Sequence, residues 1–302
     1  MLSRKTRRWI WKAIVFVIIV GTLMSQVFAG PVRSHDEIRV PNSFYLDWPL
    51  AEGDPNHRLF ISVPEGEVPA AGFPVVYLMD GNAFFTTAVD LSRQLSHALK
   101  SPKQPAIIVA VGYPIDGAYD YQRRWYDLTP PTPEPPAVPL KHMARYKDIR
   151  YGGAENVLQF MTHTLRPWLA ERYPINPEQQ ILFGHSLGGL FTLYALQQHP
   201  NAFSGYGAIS PSLWWNEGYL KTPWQKVETS VIADKQVVMV VGAEEKDFML
   251  QDSNVANDWL LQQGVRSKRF VLEAMDHGTV SIPALAIALR ELLPAADAQS
   301  HN

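Results

Sequence analysis

The sequence predicts a single α/β domain built on a mostly parallel, doubly wound sheet. The apolar runs at 74–79, 106–111 and 237–241 are continuous rather than alternating, which marks strands covered on both faces. Helical patterns at 154–172, 187–198, 252–264 and 281–293 lie between such runs, so strand and helix alternate through most of the chain. The 302 residues, 46% of them hydrophobic, show no shift of composition that would divide two cores.

Taken in order, the chain opens with a segment outside the fold. Arg4, Lys5, Arg7, Arg8 and Lys12 precede an apolar run at 13–24, and Val27-Phe28-Ala29 then offers small residues where a signal peptidase would need them. Residues 1–29 are expected to be a signal peptide cleaved after Ala29. The alternative is an uncleaved anchor tethering the protein to the inner membrane, with Trp9 and Trp11 at the interface. In either case the basic flank stays inside, and a single domain spanning 30–302 is expected outside the cytoplasm.

Residues 58–63 alternate as a half-buried strand does, whereas 74–79 and 106–111 read as inner strands. Prolines throughout 129–139 fix φ and remove ladder donors, so that stretch is expected to be a stiff extended surface connection. Further strands are expected at 181–183, 206–209, 237–241 and 269–273. A sheet of this kind binds its ligands at the carboxyl ends of its strands.

Composition narrows the chemistry. There is no cysteine, which removes disulfides, thiolate nucleophiles and cysteine-ligated metals. The histidines lack metal-ligand spacing, and no metal or cofactor is expected. A formal charge of -2 gives no reason to expect nucleic acid as a partner. A small molecule is the expected one.

Gly184-His185-Ser186-Leu187-Gly188 fits GxSxG directly after one expected strand and directly before a helix. In that setting the glycines allow a sharp turn that lifts the Ser186 hydroxyl to the helix N-terminus, where the Leu187 amide can receive an oxyanion. The α/β-hydrolase fold follows, with Ser186 as nucleophile. A serine hydroxyl needs a base, which in this fold comes last in sequence, after the last strand. His277 occupies that place. The acid is expected after the strand at 237–241, where Glu244, Glu245 and Asp247 all qualify. Glu245 is preferred. The second oxyanion amide is assigned to Asn82, in the loop after the strand at 74–79.

These pieces resemble the esterase D-like family of α/β-hydrolases and, within it, the trilactone siderophore esterases. The resemblance rests on residues 77–83, 109–113, 124–130, 152–154, 184–190 and 210–212, in that order. It implies hydrolysis of the ester bonds of a serine trilactone carrying catechol amides. A ferric catecholate of that type is anionic and aromatic, and should meet arginine and aromatic faces. Arg123, Arg124, Trp125, Trp214 and Trp215 fit, with Arg124 in a shared block. The bland alternative pairs Arg124 with Asp127 and places Trp214 and Trp215 in packing. Other functions compatible with the sequence are a general exported carboxylesterase or acyltransferase, and a non-catalytic binding module on the same scaffold.

Overall fold

The computed structural model describes residues 39–132, 149–218, 220 and 229–296. The expected leader or anchor, and the proline-rich stretch from residue 133 onward, lie outside them. Among the described residues, eight strands form one sheet: β1 (Ser43–Trp48), β2 (His57–Ser62), β3 (Phe73–Met79), β4 (Ile107–Gly112), β5 (Ile175–His185), β6 (Gly205–Ile209), β7 (Gln236–Gly242) and β8 (Arg266–Leu272). Their spatial order is β1-β2-β4-β3-β5-β6-β7-β8. β1 and β2 run antiparallel at one edge, and every pairing from β4 to β8 is parallel.

The continuous apolar strands follow from this topology. In β3, Val75, Tyr77 and Met79 enter one core, while Val76 and Leu78 enter the core on the opposite face. The first core is covered by α3 (Ala154–Phe160), α4 (Arg166–Ala170) and α5 (Leu187–Gln198); the second by α1 (Gly81–Ser96) and α7 (Ser281–Leu292). α5 is buried along nearly its whole length, so it lacks the polar face of a surface helix. Each fully buried Leu or Phe contributes about 1.5–3 kcal/mol.

The structure also departs from the expected pattern. α1, α2 (Tyr121–Leu128) and β1 are elements that periodicity does not announce. The helix expected over 154–172 is interrupted by a π-helical turn at Met161–Leu165, and α6 (Asp247–Gln262) begins earlier than 252. Among the described residues no helix is long and apolar enough to cross a membrane.

Register aligns the carboxyl ends that matter. His185 of β5 pairs with Ile209 of β6, Ile209 with Val240 of β7, and Val240 with Phe270 of β8. The residues just beyond these ends share one edge of the sheet.

Candidate active site

Ser186 stands between β5 and α5 with φ 61° and ψ -113°, strained backbone for any residue with a side chain. Its N–H donates to the Ile209 carbonyl at 2.9 Å, and its own carbonyl accepts from Leu190 and Ser212. The turn closes so tightly that a Cβ on Gly184 would fall inside the Gly188 peptide group. Gly184→Ala is therefore expected to destabilise the fold by about 3 kcal/mol. It should also abolish fluorophosphonate labelling of Ser186. A native melting curve with native labelling would disprove the account of the turn.

The Ser186 hydroxyl lies 3.0 Å from His277 Nε2, and His277 Nδ1 lies 3.0 Å from Glu245 Oε2. The carboxylate can only accept, so Nδ1 carries the proton and Nε2 offers its lone pair to the serine. His277 sits in the loop after β8, folded by Asp276, whose Oδ1 accepts from the Gly278 and Thr279 amides. Asp276 is thereby turned into its own loop. Gly242 lets the acid loop approach this one, since a Cβ there would fall on the Met275 carbonyl.

Geometry chooses among the three carboxylates. Glu244 and Asp247 are exposed, whereas the Glu245 side chain is fully buried. Its Oε1 accepts from Ser210 Oγ at 2.5 Å and from the Gly242 amide at 2.8 Å. Burial pushes the Glu245 carboxyl up, but the hydrogen bonds from His277, Ser210 and Gly242 outweigh it and hold it below the usual range. It is an anion wherever His277 needs one.

Leu187 and Asn82 occupy the first turns of α5 and α1, where amides have no acceptor within the helix. The Asn82 side chain is committed elsewhere: its Nδ2 donates to the Tyr113 and Ile115 carbonyls and its Oδ1 accepts from the Tyr113 amide. Only its main chain is left for an oxyanion.

The expected substrate contacts fare unevenly. Arg124 pairs with Asp80, not Asp127: Nε donates to Oδ1 at 2.9 Å and Nη2 to Oδ2 at 2.8 Å, with both residues buried. Burial lowers the Arg124 pKa, yet the Asp80 charge raises it by more, so the guanidinium stays charged. Asp127 instead accepts from Tyr113 Oη and pairs with His57, while Arg123 donates to the Asn56 carbonyl. These bonds fix α2 to the sheet. Trp214 is half-buried against the core. Trp215 requires correction, because it has no exposed surface and its ring packs against Trp125 at 5.6 Å and Tyr151 at 5.1 Å. The chain turns through left-handed backbone at Asn216 and Glu217, and the two neighbouring tryptophans receive different environments. Trp215 is a core residue, not a ligand contact.

The Asp80–Arg124 pair predicts a stability effect. Arg124→Met strands a buried carboxylate and is expected to cost about 3–5 kcal/mol in urea unfolding. Asp80→Asn combined with Arg124→Met should recover much of that loss. Equal instability of the single and double variants would show that the pair is not the source.

Sequence reasoning missed other residues at this edge. Asp80 lies beside Gly188, the Ser212 hydroxyl is 3.4 Å from Ser186 Oγ, Ser210 holds the acid, and His185 bonds the His277 main chain. Ser210 and Ser212 belong to one of the blocks of the family resemblance. The rule that the base follows the nucleophile points away from His185 and is silent on residues supporting the base. Among the described residues no group of three or more His, Cys, Asp or Glu could hold a metal ion.

A serine, an imidazole and a buried carboxylate in hydrogen-bond sequence, all beyond the carboxyl ends of a doubly wound sheet, define an α/β-hydrolase. Comparison with known proteins gives the family: the chain belongs to the family described as "Putative esterase", whose model matches residues 54–284. It is 38% identical over 165 residues to the ferri-bacillibactin esterase BesA of Bacillus subtilis, covering 54% of this chain and 56% of that protein. It is 36% identical over 187 residues to the siderophore enterobactin esterase of Emericella nidulans, covering 60% and 57%. The chain thus spans under three fifths of the length of these curated relatives. Among solved structures, the BES protein from Bacillus cereus superposes with a TM-score of 0.78 at 30% identity, covering 88% of this chain and 100% of that one.

Proposed function

We propose that this protein is a serine esterase that cleaves the ester bonds of a catecholate trilactone siderophore of the enterobactin kind and thereby aids iron release. The observation that carries the chemistry is the unbroken sequence of hydrogen bonds from Ser186 through His277 to Glu245. What supports the substrate is the likeness to relatives named as ferri-bacillibactin and enterobactin esterases.

In this mechanism Ser186 Oγ attacks an ester carbonyl while His277 Nε2 takes its proton, and Glu245 stabilises the imidazolium. The Leu187 and Asn82 amides receive the oxyanion. Collapse breaks the ester C–O bond, His277 returns the proton to the departing alcohol, and an acyl group is left on Ser186. Water, deprotonated by His277, then releases it as the carboxylic acid. The first cut opens the trilactone ring to a linear chain. Arg124, whose Nη1 lies outside the Asp80 pair, and the half-buried Trp214 are assigned to the anionic aromatic end of the substrate.

The test is to incubate the protein and its Ser186→Ala variant with ferric and iron-free enterobactin and with a short-chain nitrophenyl ester, resolving products chromatographically. Linearised siderophore from the wild type alone is expected. Rapid cleavage of the simple ester with neither siderophore touched would replace this reading with a general carboxylesterase; no turnover of any substrate would favour a binding module. We further assign residues 1–29 to export into the periplasm. N-terminal sequencing is expected to give Gly30 first, whereas an intact leader in the membrane fraction would identify a tether.

A further inference from the structure

His185 is the last residue of β5, immediately before the nucleophile, and is buried. Its Nε2 lies 2.8 Å from the main-chain carbonyl of His277. A carbonyl only accepts, so Nε2 carries a proton and donates it. The two imidazoles also face each other, with centroids 4.8 Å apart and planes inclined at 36°. On another side Phe84 of α1 meets His185 edge-on at 6.1 Å, which fixes its ring from the helix layer.

The His277 ring needs such a support. Its side chain is 40% exposed, so packing does not set its orientation. Its two ring nitrogens bond only to Ser186 and Glu245, and the first of those bonds must break and re-form in each catalytic cycle. A base held by its reacting partners alone would drift during turnover, and small misplacements are costly.

We propose that His185 is a positioning residue: its Nε2–H clamps the His277 main chain to the nucleophile strand. The proposal rests on the reading of Ser186, His277 and Glu245 as the reacting groups. The charged and titratable groups acting on His185 are His277 from the loop after β8, Asp80 from the turn after β3 and Arg124 from α2. Burial, then the proximity of His277, pushes the His185 imidazole down to about 4, with the Arg124 charge adding to this and Asp80 opposing it. It therefore stays neutral above that pH while its neighbour gains charge, and the two rings are never both cationic in the working range.

The experiment compares His185→Phe, which keeps a ring but removes the donor, with His185→Gln, which keeps an N–H donor but removes the ring. Both are assayed in the full chain on the nitrophenyl ester, with Ser186→Ala as the blank. His185→Phe is expected to lower kcat about 10- to 100-fold with little change in KM. His185→Gln is expected to restore most of kcat. His185→Leu, also without a donor, should repeat the Phe result, so the outcome does not hang on whether a phenyl ring fits. Native kcat in a folded Phe or Leu variant would overturn the proposal, as would a loss in Gln as deep as in Phe. Turnover by Ser186→Ala would instead overturn the underlying reading of the site.

Discussion

Alanine at position 186 is expected to lower kcat for ester hydrolysis by about 10⁴- to 10⁶-fold, while changing the unfolding free energy by no more than about 1 kcal/mol. The two halves have separate causes. In the proposed mechanism the hydroxyl is the atom that forms the acyl bond, and Ser212 does not replace it: Ser212 Oγ is 3.4 Å from Ser186 Oγ, but Ser186 is the residue bonded to His277 Nε2. The stability cost is small because the backbone strain at φ 61° is the same for serine and alanine, and the turn is held by main-chain bonds to Ile209, Leu190 and Ser212. The reacting groups act as a unit, so Ser186→Ala combined with His277→Ala should be scarcely worse than either change alone. Burst kinetics and thermal melts on the three variants provide the check. Multiplicative losses in the double variant would show that serine and histidine act independently, contrary to the relay.

How much of this was legible beforehand depended on what each signal measures. β3 and β4 are readable because burial on both faces leaves no polar position to confuse the pattern. The nucleophile is readable because a sharp strand-to-helix turn demands small residues at fixed offsets, and Gly184 has no room for a Cβ. β1 is not, since an edge strand with mostly exposed or half-buried residues gives its side chains no uniform environment. α1 escapes for another reason: it begins inside the very turn read as an oxyanion loop, and its buried stripe of Phe84, Phe85, Ala88 and Val89 is mixed with polar residues. Trp215 shows the limit most plainly. Adjacent tryptophans look alike as residue types, and only the left-handed turn that follows them separates a packed ring from a half-buried one. The acid could be narrowed to a loop but not chosen within it, because burial of one carboxylate among three neighbours is a tertiary property.

Glutamine at position 245 is expected to cost about 10⁴-fold in kcat, while Glu244→Gln and Asp247→Asn stay within about twofold of the native enzyme. The reason lies in how the carboxylate is filled. Oε1 accepts from both Ser210 Oγ and the Gly242 amide, so the single carbonyl oxygen of a glutamine is drawn to that side. Its NH₂ then faces His277 Nδ1, where Oε2 now accepts. Two donors cannot share that contact, so the imidazole must place its proton on Nε2 and can no longer take one from Ser186. The pH dependence carries a sign that can be checked as well. The folded-state pKa of Glu245 lies below its unfolded value, so its contribution to stability is complete above the ordinary glutamate range and is lost as pH falls through the folded value. The difference in unfolding free energy between native protein and the Gln variant should therefore hold constant from neutral pH down to that range and shrink below it. Urea titrations across acid pH measure this directly. A difference that instead grew on acidification would mean that Glu245 is held protonated in the fold, and the assignment of the acid would pass to another residue.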